Sequence, residues 1–267
     1  MKRRDFLATA CLGGAVAATF SSTSAQETSA KFECFEIRKF AVRGSEKQKR
    51  QIDYTNEVMI PGLKKFGIGP LGFMIEDPQL NKLEDTELRN MYYFIPYRSM
   101  DECMGLRARF AQETDLIAKW HEMRQGSSSK NPGFESMERT LLRFFASIPR
   151  FEVPTQAADR VFELRLYRSF DAERNTAKIK MFEEGGEIEI FRKCGINPVF
   201  FGNTTFGSFM PNITYMTGYD NPAAQTKAWD QFKTHPDWLK LKDDPAYADT
   251  ATDIKRIILR PLLGSQV

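Results

Sequence analysis

Two segments carry the same acid–base pair, Glu36-x-Arg38 and Glu163-x-Arg165, and the second continues to Tyr167. In an extended strand alternate residues share a face, so Glu163, Arg165 and Tyr167 lie opposite Phe162, Leu164 and Leu166. Arg and Tyr together can hold a carboxylate or a phenolate through paired hydrogen bonds. Tyr215, in the later segment Ile213 to Tyr219, and His235 complete the candidate ligand-binding set. The apolar face is expected to pack on helices and the polar face to line the interior of a closed sheet. A plainer reading carries more weight. If first and last strands are antiparallel neighbours, Glu163 pairs with Arg256 or Arg260, and Glu36 with Arg139 or Arg143, as an ion-pair lattice across the ladder.

The residues exclude several chemistries. There are 2 histidines, His121 and His235. His235 stands before Pro236 at a corner where Thr234 and Asp237 read as turn or capping residues; it is a weak candidate for a base or a haem ligand. HxxxH and CxxC spacings are absent, so no metal site is expected. No GxGxxG, GxSxG or GKS/T motif occurs, which removes support for nucleotide binding and serine hydrolysis. No catalytic residue and no cofactor is specified. The 22 phenylalanines are better explained by core packing between sheets than by an aromatic cofactor pocket.

The elements that must position these residues occur twice. Lys65-Phe66-Gly67-Ile68-Gly69-Pro70 recurs as Lys193-Cys194-Gly195-Ile196-Asn197-Pro198, and Phe35-Glu36-Ile37-Arg38 as Phe162-Glu163-Leu164-Arg165. A repeat of this length is too long for a solenoid and fits two duplicated domains. In the first copy, residues 32–42, 71–75, 90–97 and 141–145 read as strands. Residues 46–65, bent at Pro61, and 100–124 read as helices. The second copy repeats β-α-β-β-α-β, with Gly185-Gly186 loosening its first helix. The predicted fold is α+β: two tandem ferredoxin-like repeats, 31–147 and 160–264, joined by a linker over 148–159. Their sheets pack together as an intrachain α/β barrel.

The N-terminus stands apart. Arg3-Arg4-Asp5-Phe6-Leu7 resembles the core of a twin-arginine export signal; an apolar stretch to Phe20 and a small, polar run to Ala25 follow. Residues 1–25 are therefore expected to be a signal, and the protein periplasmic or secreted. The apolar stretch is too short to span a bilayer, so no permanent membrane anchor is expected. Removing this segment takes the net charge from +3 to +1, too little for the basic footprint of a nucleic-acid binder. Cys11 would leave with the signal. Cys34, Cys103 and Cys194 are then too few and too scattered for a disulfide framework and are expected as buried thiols.

Residues 160–262 resemble the NIPSNAP domain. The resemblance rests on Phe162-Glu163-Leu164-Arg165-Leu166-Tyr167, the Gly195 turn, Tyr215-Met216-Thr217-Gly218-Tyr219-Asp220, Ala228-Trp229-Asp230-Gln231-Phe232 and Thr234-His235-Pro236-Asp237-Trp238. Residues 32–146 resemble it more loosely; there the corner reads Gln112-Glu113-Thr114-Asp115-Leu116. The resemblance implies the dimeric α/β-barrel superfamily and brings no established catalytic residues. It leads to an exported barrel protein that binds a small aromatic or acidic molecule in the barrel interior and admits a homo-oligomer. The alternative it implies is a cofactor-free oxygenase or isomerase, or a haem-binding enzyme. A scaffold with a filled barrel is the third class.

Overall fold

Two sheets of four strands meet edge to edge and leave no free edge. The structure is a computed structural model and describes residues 32–267; the expected signal and Cys11 lie outside the described residues. In the first repeat the strands are β1 Cys34–Arg43, β2 Gly72–Glu76, β3 Leu88–Tyr97 and β4 Ser136–Phe144. The second supplies β5 Val161–Arg168, β6 Asn197–Phe206, β7 Asn212–Tyr219 and β8 Asp253–Pro261. Their order around the closed barrel is β1-β3-β2-β8-β5-β7-β6-β4. Each repeat keeps its first strand between its third and fourth, as the ferredoxin-like reading requires. The seams are antiparallel: β2 pairs β8 with Ile75 opposite Arg260, and β4 pairs β6 with Phe144 opposite Gly202.

The helices cover the outside of the barrel. They are α1 Ser45–Tyr54, α2 Ile60–Lys65, α3 Met100–Ala111 and α4 Thr114–Met123, then α5 Ala172–Glu183, α6 Glu187–Lys193, α7 Pro222–Thr234 and α8 Pro236–Lys242. A π-helical turn, Thr55–Met59, joins α1 to α2 just before Pro61. Proline has no N–H for the turn behind it, so the expected single bent helix widens there instead. The helix expected over 100–124 breaks at Gln112-Glu113, because Glu113 leaves the helical region with φ −92° and ψ 86°. Gly185-Gly186 separates α5 from α6, with Gly186 at φ 82°.

The repeated hexapeptide is the same helix stop built twice. Gly67 and Gly195 take positive φ, 69° and 79°. Ile68 N donates to Leu63 O and Gly67 N to Lys64 O; Ile196 N and Gly195 N do the same to Phe191 O and Arg192 O. This is the Schellman arrangement, which needs a left-handed residue that glycine supplies without steric cost.

Strand parity is inverted relative to the expectation. The barrel interior is filled by Phe35, Phe94, Phe162, Phe200, Leu142, Met74, Met216 and Leu259, all buried. The Glu-x-Arg face of β1 and β5 instead points outward, beneath the helices. Alternation decides which residues share a face, not which face closes on itself. An eight-stranded barrel has room for its side chains or at most one small ligand, and uncompensated charge there would be costly. The Glu-x-Arg residues expected to line the interior are therefore not part of it, and side chains fill most of that space. A small cavity of about 130 Å³ remains near one mouth, beside Lys39, Glu138 and Lys255. The segment between the repeats is part of this core: Phe151 inserts among Phe35, Phe144 and Phe200 at centroid distances of 5.3, 5.4 and 5.5 Å.

Gly202, on β6, faces the ring of Phe35. A Cβ there would lie 2.6 Å from Phe35 Cζ and 3.0 Å from Leu142 Cβ. Gly202→Ala is expected to cost about 1–3 kcal/mol by overpacking. Chemical denaturation checks this: the midpoint should fall with the slope unchanged.

Candidate functional site

Register makes the two repeats comparable residue by residue. Arg38 lies opposite Tyr93 and Arg139, and Arg165 opposite Tyr215 and Arg256. Glu36 and Glu163 are both buried, as are Tyr93 and Tyr215. The same framework then diverges.

In the first repeat the network is closed. Arg38 donates from Nε to Glu36 Oε1 at 2.6 Å and from Nη2 to Oε2 at 3.0 Å. Tyr97 Oη donates to Oε2 at 2.9 Å, and Arg139 Nε donates to Oε1. Above them, Gln51 Nε2 donates to the Tyr93 hydroxyl at 2.7 Å, and Thr55 bonds it as well. Burial alone would push the Glu36 carboxyl up; the hydrogen bonds and charges of Arg38 and Arg139 outweigh it and hold it below its ordinary value. Glu36 and Arg38 thus behave as the ion-pair lattice of the plainer reading.

In the second repeat the pair is open. Arg165 gives Glu163 a single bond, Nη1 to Oε1 at 3.0 Å, and Arg256 Nε stands 3.5 Å from the same oxygen. Glu163 Oε2 accepts from Gln225 Nε2 and Trp229 Nε1, both at 2.6 Å, so α7 supplies its hydrogen bonds while Arg256 on the neighbouring strand keeps the expected ion pair. Arg260, the other sequence candidate, goes to Asp77 and Asp159. Arg165 Nε is buried with no acceptor. Its guanidinium lies 4.4 Å from the Trp229 ring and 5.4 Å from that of Tyr167. Burial works against the Arg165 cation, but Tyr215, Tyr167 and Glu163 around it reverse the effect and raise its pKa. It is a fixed positive charge with a donor to spare.

Arg165 borders a cleft of about 500 Å³ between the sheet and the helices. Tyr167, Trp229, Phe232 and Trp238 supply aromatic walls; Lys178, Glu187, Gln225 and Arg256 supply polar groups. Tyr215 Oη donates to Tyr167 Oη at 3.1 Å and its ring stacks on Phe201 at 4.6 Å, so Tyr215 backs the wall. Lys178 Nζ donates to Glu187 Oε2 at 2.9 Å, with both residues buried. Burial pushes the Glu187 carboxyl above its ordinary value, and the Lys178 cation offsets this only in part. Burial likewise raises the Tyr167 hydroxyl against the pull of Arg165.

The structure brings Glu163, Arg165, Tyr167 and Tyr215 together. Glu36 and Arg38 lie under the helices of the other repeat, and His235 is outside the cleft. His235 Nδ1 accepts from Asp237 N at 3.2 Å, capping α8, while its neighbour Trp238 packs on Phe232 and reaches the cleft wall. Among the described residues no group of three or more His, Cys, Asp and Glu could hold a metal. Lys178 and Glu187 were not legible as a pair, since the glycine break between α5 and α6 removes any helical spacing. Trp229 sits in a motif the sequence singled out, but its bond to Glu163 is a tertiary contact. Cys34, Cys103 and Cys194 are buried and free, and burial beside Cys103 pushes the Cys34 thiol up to about 12.

Comparison with known proteins agrees with this geometry. The NIPSNAP family profile matches residues 162–266, the repeat that holds the open cleft. A candidate monooxygenase from Lactobacillus acidophilus NCFM superposes with a TM-score of 0.56 at 12% identity, covering 86% of this chain and 94% of its own. A second candidate monooxygenase, from Fusobacterium nucleatum subsp. nucleatum, gives 0.52 at 11% identity, covering 87% and 93%. At these identities the likeness is one of fold: an α/β barrel spanning both repeats. No curated protein matches the chain.

The Glu36 network has a pH signature. Because its folded pKa lies below the ordinary 4.5, its stabilisation is present above that value and is lost as pH falls through the folded pKa. Glu36→Gln strands Arg38 and should cost about 3 kcal/mol at neutral pH. The deficit should shrink as the pH is lowered below 4.5. Denaturant midpoints of both proteins across that range measure it.

Proposed function

We propose that this protein, whose residues 162–266 match the NIPSNAP family, binds a small, planar molecule bearing a carboxylate or phenolate in the cleft of its second repeat. The observation that carries the reading is Arg165. Its counterpart Arg38 gives two hydrogen bonds to its own glutamate, whereas Arg165 gives one and keeps a buried donor unpaired. A guanidinium with one hydrogen bond to its glutamate and a place on the cleft wall retains donors for an oxyanion. The aromatic walls select a flat ligand, as an Arg stacked on Trp229 presents a continuous surface for stacking.

An enzymatic reading of the same cleft, as a cofactor-free oxygenase or isomerase, is favoured by one feature. Glu187, buried and raised in pKa beside Lys178, can hold a proton near the ligand-facing Tyr167. Haem fits less well. No histidine or cysteine lines this cleft, and the ring nitrogen of His235 that faces the backbone is already bonded to Asp237 N. We also propose that the protein works outside the cytoplasm, on the strength of Arg3-Arg4-Asp5-Phe6-Leu7 alone; no helix among the described residues is long and apolar enough to cross a membrane.

Native mass spectrometry of the protein purified from its own host reports both proposals. The expected chain mass is that of a protein cleaved near residue 25, carrying an additional small-molecule mass that Arg165→Met fails to retain. Full-length chain would sink the export proposal. Loss of fold in Arg165→Met, with no bound mass in the wild type, would return Arg165 to a structural role. Accumulation of an altered ligand on incubation in air would favour the enzyme.

A further inference from the structure

The first repeat has a cleft of its own, in a different place and with different chemistry. It encloses about 590 Å³ between the end of β1, helices α1 and α4, and the segment 127–134. Register makes Phe40 the counterpart of Tyr167, so the hydroxyl that borders the second cleft is missing here. Tyr93, the counterpart of Tyr215, is bonded to Gln51 and Thr55 and closed off; the phenol that lines this cleft is Tyr54, whose hydroxyl donates to Met59 Sδ at 3.1 Å. Neither Glu36 nor Arg38 lines this cleft.

Its charges are one-sided. Lys47 and Arg50 project from α1 and Arg124 from the end of α4, and no aspartate or glutamate lines the cavity. Among the described residues neither Lys47 nor Arg124 forms an ion pair, and the partner of Arg50 is the outward-facing Glu46 at 2.9 Å. In the second cleft, by contrast, Glu163, Glu187 and Asp230 offset Arg165, Lys178, Lys233 and Arg256. The apolar walls are flat. The Trp120 ring has the Arg124 guanidinium 4.6 Å above it, and Phe40 packs edge-on against Phe134 at 5.3 Å. Two unpaired cations, Lys47 and Arg124, with Arg50 held by Glu46 beside them, line an aromatic slot and attract a ligand with more than one negative charge on a ring.

We infer that this cleft is a second binding site, specific for a planar aromatic dianion such as an aromatic phosphate monoester. It is independent of the second-repeat cleft, and either site can fail without the other. The protein offers a built-in locator: of its 3 tryptophans, Trp120 borders the first cleft, and Trp229 and Trp238 border the second.

The test is quenching of tryptophan emission by para-nitrophenyl phosphate in the full chain. Saturable quenching is expected, with a component that disappears in Trp120→Phe and persists in Arg165→Met. Lys47→Gln combined with Arg124→Gln should weaken that component about tenfold or more, with melting temperature unchanged because both are surface residues. Neutral para-nitroanisole should not show the Lys47 and Arg124 dependence. The inference is overturned if the quenching is unchanged in Trp120→Phe, if the double variant binds as tightly as the wild type, or if the neutral probe binds equally well. Quenching lost only in Arg165→Met would mean that the second cleft alone binds anions.

Discussion

Barrel closure is the constraint from which the rest follows. The edge strands of the two repeats, β2 with β8 and β4 with β6, satisfy one another's backbone groups. A lone four-stranded sheet would leave those edges as templates for association. Closing them within one chain creates a narrow interior that side chains largely fill, leaving a cavity of about 130 Å³ near one mouth. The apolar faces of β1 and β5 then turn inward, and phenylalanines supply much of the interior packing. The Glu-x-Arg faces of β1 and β5 are left under the helices, among apolar residues of the neighbouring strands.

Helices cover a sheet less completely than a barrel covers its own interior. Here they are short and interrupted, by the π turn before Pro61, by Gln112-Glu113 and by Gly185-Gly186. Each interruption changes what can reach the sheet. In the first repeat Gln51 in the last turn of α1 and Thr55 in the π turn both bond the central tyrosine and seal it. In the second, the break lets Glu187 fold back to Lys178, and α7 brings Trp229 and Gln225 down onto Glu163. Duplicated strands under different helices have therefore become a closed ion-pair lattice on one side and an open cleft on the other.

The difference between the two glutamates illustrates how small the controlling geometry is. Glu36 takes two bonds from Arg38, another from Arg139 and another from Tyr97. Glu163 takes one from Arg165 and two from a helix. Tyr219, which stands where Tyr97 does in register, turns its hydroxyl to Thr217 instead. A carboxylate satisfied by tryptophan and glutamine leaves its arginine with capacity for something else. Local sequence around the two pairs is nearly the same.

Much of the fold was legible because it is written in short-range chemistry. Strand β5 was readable to its ends from alternation, and the Gly67 and Gly195 stops from the need for a left-handed residue. The duplication gave the barrel, since two half-covered sheets have one economical way to bury their faces. The extent of β6 is less legible, because its register shift at Pro198 and the small Gly202 interrupt the alternation. Alternation also placed Glu163, Arg165 and Tyr167 on one face. Which face points inward, which arginine keeps a free donor and which helix residues meet it were decided by tertiary structure alone. Those outcomes depend on closure and on long-range contacts such as Trp229 with Glu163, to which a period of two residues is blind.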